Sequence, residues 1–445
     1  MKFASPCFAL LALACNSVFA IGAGNVAPST HHAKTTSHLA SARHPAKSAA
    51  HATSKAGHAV AHAPLRAAHT TARATGKVAV KAVPHAAVHG KLRRTSLTHH
   101  RVTGERFTAS SFVTSQGDGD VTAGEDPTIR AAVIDALGNM NGTAVVINPA
   151  NGRILAMVNQ RMALSPGAEP CSTIKLSVGL AALSEGLVTR DTPVNLGGFR
   201  MNLTEALAHS NNLYFEELGR ELGFERVRHY ATQFGLGELA GYNIAGEQLG
   251  TYPDQEIPAA EGGVGRMCSF GQGVNLTPLQ LGAFVAAIAN GGTLYYLQHP
   301  TTAEEAASFE PRVKRTLDIA RFVPDLQDGM AGAVEYGTAR SLRVNFHELP
   351  VFGKTGTCSN AGTRYGWFAS FSDSPQGSLV TVFFLEGGRP VFGPRAAELT
   401  GLFYKSLWDR NYFAGSGPVQ AQLLKPSQTG SVAAEPSRFA SGVAH

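Results

Sequence analysis

The chain predicts an α+β fold: one five-stranded antiparallel sheet covered by helices on both faces, with an all-helical part. Three observations predict it. Two short apolar runs, Thr143 to Ile147 and Ile154 to Val158, lie early and are joined by a Pro-Ala-Asn-Gly turn. Three more, Val351 to Thr357, Tyr365 to Phe371 and Leu379 to Leu385, follow one another late in the chain. The long stretch between the two groups reads as helices. A sheet drawing two strands from one end and three from the other brings those ends together, and its two apolar faces need helices on both sides.

The N-terminal fifth lies outside this pattern. Met1 to Ala20 has the form of an export signal, with Lys2, an apolar Phe8 to Ala14 and small residues around Val18-Phe19-Ala20. Its core is short for a spanning helix, which needs about 20 residues, but Phe3 to Ala23 is broadly apolar, so the segment reads as a signal peptide or a membrane anchor. Either places the protein outside the cytoplasm, in the periplasm or on the outer face of the membrane. Between Ile21 and Gly104 stand twelve Lys or Arg, twelve of the 17 histidines and no acidic residue. With Lys2 the first 104 residues carry +13, against a formal net charge of +6 for the whole, so the remainder carries −7. Residues 21–105 have few large apolar side chains and cannot offset the entropy of ordering them, so they are expected to be a disordered basic tail. The tail reads as a solvated spacer or as a polycation for anionic envelope polymers. No aromatic residue interleaves with its charge and its histidines lack a tight ligand spacing, so neither nucleic acid nor metal is expected.

The ordered domain is expected over 106–412. Pro127 to Leu137 reads as a helix and precedes the two early strands. A helix headed by Ser172 follows and ends at Gly186; Leu203 to Ser210, Leu213 to Leu222 and Phe224 to Phe234 are helical. Thr277-Pro278-Leu279-Gln280 has the form of a capping box with proline at the first helical position, and its helix runs to Asn290. Residues 321–336 make another helix, and Ala396 to Trp408 a closing one. From 413 to 445 the composition loosens into a second disordered tail.

The chemistry is concentrated in three short motifs. Ser172-Thr173-Ile174-Lys175 opens an apolar run, and on a helix this spacing puts the hydroxyl and the amine on one face. A neutral lysine there would take the serine proton, and burial would lower its pKa towards that task. The helix N-terminus adds a positive field where an acyl oxyanion would develop. Ser210-Asn211-Asn212 supplies an S-x-N, and Lys354-Thr355-Gly356-Thr357 a K-T-G-T on a strand. S-x-x-K, S-x-N and K-T-G in that order are the signature of penicillin-recognising serine acyl-enzymes.

The chain resembles the transpeptidase domain of penicillin-binding proteins. The likeness runs from about Gly142 to Leu407 and takes in Gly142-Thr-Ala-Val-Val-Ile-Asn-Pro149, Gly271-Gln-Gly273 with Thr277-Pro-Leu-Gln-Leu281, and Trp367-Phe-Ala-Ser-Phe371. The resemblance implies the same sheet and a D,D-transpeptidase or D,D-carboxypeptidase that forms an acyl-enzyme with peptidoglycan stem peptides, with β-lactams as inhibitors and no cofactor. It implies Ser172 as nucleophile, Lys175 as general base, Ser210 as proton relay and Asn212 as the holder of Lys175. Lys354 would place a positive charge near the substrate carboxylate, and Thr355 and Thr357 would bind that carboxylate across Gly356. The N–H groups of Ser172 and Thr357 would form the oxyanion hole, which brings their neighbours Cys171 and Cys358 together. Class A carbapenem-hydrolysing lactamases resemble the chain in having cysteines at these two places, bonded to each other. The resemblance thus implies a Cys171–Cys358 disulfide, with Cys268 as a rival partner.

Two other functions compete. A β-lactamase needs a carboxylate that hydrolyses the acyl-enzyme, and Glu247 lies in the right interval without the right spacing. A non-catalytic sensor or wall-binding protein would acylate and stay acylated. The short interval between Ser172 and Ser210, and the absence of a recognisable glycosyltransferase stretch before the domain, read as a minimal transpeptidase module on a tether.

Overall fold

The computed structural model describes residues 106–374 and 377–414. The expected signal or anchor, the basic tail and all but the first two residues of the C-terminal tail lie outside them. Those two, Phe413 and Ala414, extend the ordered part past the expected boundary, because Phe413 is buried against Trp408 and Tyr412.

The five strands of the main sheet are β1 (Gly142–Asn148), β2 (Arg153–Val158), β3 (Val351–Asn360), β4 (Thr363–Ser372) and β5 (Leu379–Gly387). They run in the order β2-β1-β5-β4-β3, antiparallel throughout. The central pairing joins the two halves of the chain, with Val145 opposite Val382 and Ile147 opposite Val380. Strand alternation then sorts the side chains. Val145, Ile147, Val382 and Phe384 enter one core, while Ala144, Val146, Phe383 and Leu385 enter the other.

The second core is closed by the two ends of the ordered chain, α1 (Pro127–Leu137) and the last helix, Gly393–Asp409. Asp126 caps α1, its carboxylate accepting from the N–H groups of Thr128 and Ile129. The same carboxylate receives the Tyr412 hydroxyl at 3.3 Å, and Arg410 pairs with Asp135 at 2.7 Å, so the ends meet as expected.

The first core carries the helical part: α2 (Lys175–Ser184), α3 (Leu203–Ala208), α4 (Asn212–Leu222), α5 (Phe224–Gln233), α6 (Gly263–Phe270), α7 (Pro278–Ala289) and α8 (Val323–Glu335). The α7 capping box is formed in both directions by Thr277 and Gln280. Apolar residues surround both α2 and α7, whose faces are buried nearly all round, as fits helices in the centre of a domain.

Among the differences between the sequence reading and the structure, three stand out. Helix α6 was not expected: Gly263, Gly265 and the following Arg and Ser dilute its apolar stripe. Two small two-stranded sheets, Val194–Asn195 with Arg200–Met201 and Thr293–Tyr295 with Val313–Thr316, are too short to show a period. Ser172 stands not in the first turn of the α-helix but in a 3-10 turn, Cys171–Ile174, that leads into it. Cys171 adopts φ 52°, and this kink after Pro170 tightens the entry.

Candidate active site

The 3-10 turn and α2 place Ser172 and Lys175 as the spacing predicts, with Lys175 Nζ 3.0 Å from Ser172 Oγ. Lys175 is fully buried; its amine lies 2.6 Å from Asn212 Oδ1, 3.0 Å from the Ser210 carbonyl and 3.2 Å from Ser210 Oγ. The Phe215 ring closes over it at 5.6 Å. Burial holds Lys175 well below the ordinary lysine range; the neighbouring Lys354 charge lowers it further, and Glu216 pulls it back up. A neutral amine has two N–H bonds and one lone pair. Asn212 Oδ1 and the Ser210 carbonyl can only accept, so they take the two N–H bonds and leave the lone pair for the Ser172 hydroxyl proton.

Local sequence explains how Ser210 and Asn212 reach this amine. Ser210 ends α3 in the left-handed region, φ 55°, which is uncommon outside glycine and turns the chain sharply into α4. Asn211 then caps α4 by accepting from Tyr214 N at 3.0 Å. The capping task therefore falls on Asn211, and the Asn212 side chain is free for Lys175.

Lys354 enters from β3, the open edge of the sheet. It too is fully buried, with Nζ 2.9 Å from Ser210 Oγ and 3.1 Å from the Thr355 carbonyl, and burial pushes its pKa down to about 7. Ser210 Oγ thus lies between two lysines, and two like charges on one hydroxyl repel. Burial and the Lys354 charge both press Lys175 towards its neutral form.

Strand alternation puts Thr355 and Thr357 on the opposite face from Lys354. The Thr355 hydroxyl donates to Thr338 Oγ1 at 2.7 Å, and Thr357 Oγ1 accepts from Gly393 N at 2.7 Å. Gly356 lies between them where β3 passes the nucleophile turn. A Cβ there would come within 2.8 Å of the Pro170 carbonyl oxygen and 3.1 Å of Thr173 Cγ2, so only glycine lets the strand approach this closely. The approach is also covalent: Cys171 and Cys358 form a disulfide with Cα atoms 5.5 Å apart, and Cys268 is a buried free thiol. The Glu169 carbonyl beside the bridge accepts from Trp367 Nε1 at 3.0 Å, fixing the turn to β4 as well.

The structure brings together Ser172, Lys175, Ser210, Asn212 and Lys354 around one polar point, with Thr355, Gly356 and Thr357 along the strand beside it. It also adds residues that the motif reading passed over. Glu216 lies one helical turn beyond Asn212, on the same side of α4, and is paired with Arg220 at 2.9 Å and with Ser269 Oγ at 3.4 Å; the i,i+4 spacing from Asn212 was the available signal. Thr338 is brought to Thr355 from 17 positions away by the turn after α8, and nothing in the sequence marks it. Glu247, the carboxylate weighed for acyl-enzyme hydrolysis, is taken up by the backbone N–H groups of Ala240 and Gly241. Among the described residues no His, Cys, Asp or Glu cluster is arranged to hold a metal ion.

Comparison with known proteins follows the same outline. The profile described as "Penicillin binding protein transpeptidase domain" matches residues 142–389. Stage V sporulation protein D of Bacillus subtilis is 30% identical over 257 residues, covering 48% of this chain and 39% of that protein. The peptidoglycan D,D-transpeptidase MrdA of Acinetobacter baumannii is 23% identical over 409 residues, covering 73% of this chain and 59% of that protein. The chain thus spans well under two thirds of the length of these relatives. Among solved structures, the transpeptidase domain of Burkholderia pseudomallei penicillin-binding protein 3 superposes with a TM-score of 0.56 at 18% identity, covering 66% of this chain and 98% of that one, a likeness of fold.

Proposed function

The chain belongs to the penicillin-binding protein transpeptidase family, and from that premise we propose that it is a serine D,D-transpeptidase or D,D-carboxypeptidase acting on peptidoglycan stem peptides. The observation that carries the reading is the convergence of Lys175 Nζ on Ser172 Oγ at 3.0 Å with both other motifs touching through Ser210. Ser172 Oγ attacks the carbonyl of the penultimate D-alanine as its proton passes to the Lys175 lone pair. The C–N bond then breaks, and the proton held by Lys175 reaches the leaving amine through Ser210 Oγ. Lys354, charged in part near neutrality, orients Ser210 and faces the substrate carboxylate. The N–H groups of Ser172 and Thr357 receive the developing oxyanion, a contribution of about 3 kcal/mol per donor. The ester on Ser172 is finally taken by water or by the amine of a second strand. That Glu247 is occupied by backbone groups favours a long-lived acyl-enzyme over a β-lactamase.

Labelling with a fluorescent penicillin tests this. Intact-mass spectra should show a persistent adduct on the wild type and none on Ser172→Ala. Hydrolysis of a chromogenic cephalosporin faster than about 1 s⁻¹, an ordinary turnover, would replace the reading with a lactamase.

The proposal extends to the rest of the chain. Export by the segment at 1–20 fits a wall substrate; no helix among the described residues is long and apolar enough to cross a membrane. The basic segment at 21–105 is proposed to hold the domain to anionic envelope polymers. Pull-down of the full chain, with and without that segment, should show binding that weakens as salt rises; equal binding at all salt concentrations would return the segment to a plain spacer.

A further inference from the structure

The small sheet of Thr293–Tyr295 with Val313–Thr316 continues towards the main sheet. Residues 296–298 lie between the chain at 240–242 and β2: Leu297 donates its N–H to the Ala240 carbonyl at 2.8 Å, and Ile154 donates to the Gln298 carbonyl at 2.8 Å. This layer extends the β2 edge, opposite the β3 edge that carries Lys354. At its end lies a cavity of about 300 Å³, whose lining includes Tyr242, Asn243, Gln298, Glu305, Glu310 and Arg312. That volume is at the lower limit for small-molecule sites, about 300–1,000 Å³.

The polar groups around the cavity keep free bonding capacity. The Arg312 guanidinium lies 4.1 Å over the Tyr242 ring and makes no ion pair or side-chain hydrogen bond among the described residues. Nor do the Asn243 amide and the Glu310 carboxylate. Gln298 donates from Nε2 to the Glu310 carbonyl at 2.8 Å and keeps its side-chain oxygen. Glu305 accepts the N–H and O–H of Thr301 on Oε2, at 2.7 and 2.8 Å, and keeps Oε1. Neighbouring charges are matched by contrast, Lys314 with Glu238 at 2.6 Å and His299 with Glu125 at 3.0 Å.

Three ligand classes fit this arrangement poorly. An anion would face two carboxylates, a cation would face Arg312, and an apolar group would strip water from the polar side chains without replacing its hydrogen bonds. A sugar ring matches. Each of its hydroxyls both donates and accepts, giving to Glu305, Glu310 or Gln298 and taking from Arg312 or Asn243. The ring of Tyr242, 39% exposed, offers an apolar surface to the C–H face of the sugar.

We propose that this cavity binds a neutral saccharide, and that its natural ligand is the amino-sugar backbone of the wall glycan. The saccharide chemistry stands on the cavity alone; the glycan as its source rests on the acyl-transfer reading. The two edges of the five-stranded sheet are four spacings of about 4.8 Å apart, or roughly 19 Å. A glycan held beyond β2 would keep its stem peptides close to the domain while one of them reacts at the β3 edge.

The test titrates the full chain with chitotetraose, a neutral oligomer of N-acetylglucosamine, and with maltotetraose, which lacks the acetamido groups, reading affinity by calorimetry. Neither probe carries charge, so added salt should leave the affinity unchanged, unlike binding through the basic segment. Wild type should bind chitotetraose the more tightly. Arg312→Ala and Glu310→Ala should each weaken it by about tenfold, as for loss of one charged hydrogen bond. Neither should lower the melting temperature, since neither side chain has a hydrogen-bond or ion-pair partner among the described residues. Absence of binding by either sugar, or equal binding by wild type and both variants, overturns the inference. Equal affinity for the two sugars keeps the saccharide site and overturns the glycan as its source. Penicillin labelling of the same samples is read separately: a wild type that binds chitotetraose but forms no adduct removes the acyl-transfer reading and the glycan source with it, and leaves the saccharide site.

Discussion

Breaking the Cys171–Cys358 bridge should damage stability and chemistry together. The bond closes a loop with a sequence separation of 187 residues. In the chain-entropy description, releasing a loop of that size costs up to about 5 kcal/mol. For a domain of roughly 300 residues that corresponds to a fall in Tm of as much as about 8 °C. The chemical effect follows from position: Cys171 adjoins the nucleophile and Cys358 adjoins Thr357, so the bond fixes the distance between the two N–H groups proposed for the oxyanion. Loosening one donor should slow acylation by about tenfold or more. The assay is thermal unfolding together with the rate of labelling by fluorescent penicillin, for oxidised protein and for Cys358→Ser. Alkylation under denaturing conditions, followed by mass measurement, should trap one more thiol in the variant than in the oxidised form, because Cys171 is freed to join the unpaired Cys268. A variant that melts within about a degree of the oxidised protein and acylates at the same rate would refute the reasoning.

Two further predictions rest on the lysines. Lys354 has a folded pKa of about 7 against an ordinary 10.5, so between those values the unfolded chain binds more protons and stability rises with pH. Lys354→Met should therefore remove a slope of at most about 1.4 kcal/mol per pH unit over that window, and the variant should be the more stable near pH 7; denaturant melts across pH 6 to 11 measure it, and parallel wild-type and variant curves would contradict it. Glu216 raises the proton affinity of Lys175, so Glu216→Gln should leave Lys175 neutral to lower pH. The acid limb of the acylation profile should then move down in pH, which a merely structural loss would not do.

The sheet was legible because its strands are apolar runs bounded by turn residues, and because the two groups lie at opposite ends of the ordered chain. Helices such as Pro127–Leu137 and Pro278–Ala289 were legible from caps and proline at the first position. Helix α6 was hidden by its glycines. At the site, residue types and spacing pointed to Ser172 with Lys175, since three positions along a helical turn are enough to bring them together. The sequence could not show that Ser210 adopts a left-handed backbone, that Asn211 takes the capping task, or that the two lysines share one hydroxyl. Thr338 was invisible for the same reason: its place beside Thr355 comes from the packing of a turn against the sheet edge, which no local pattern records.

The central pairing of β1 with β5 has a kinetic consequence. Val145 lies opposite Val382, a contact between residues 237 positions apart, and β4 and β3 attach to the sheet only through β5. Closing so long a loop must precede most of the contacts that reward it, which makes the search slow. Until Leu379–Gly387 has emerged from the ribosome, β1 and β2 form an orphan hairpin with open edges. Chains cut short before residue 387 should therefore bind no penicillin at all, because the strand that joins the two halves of the sheet is missing or incomplete.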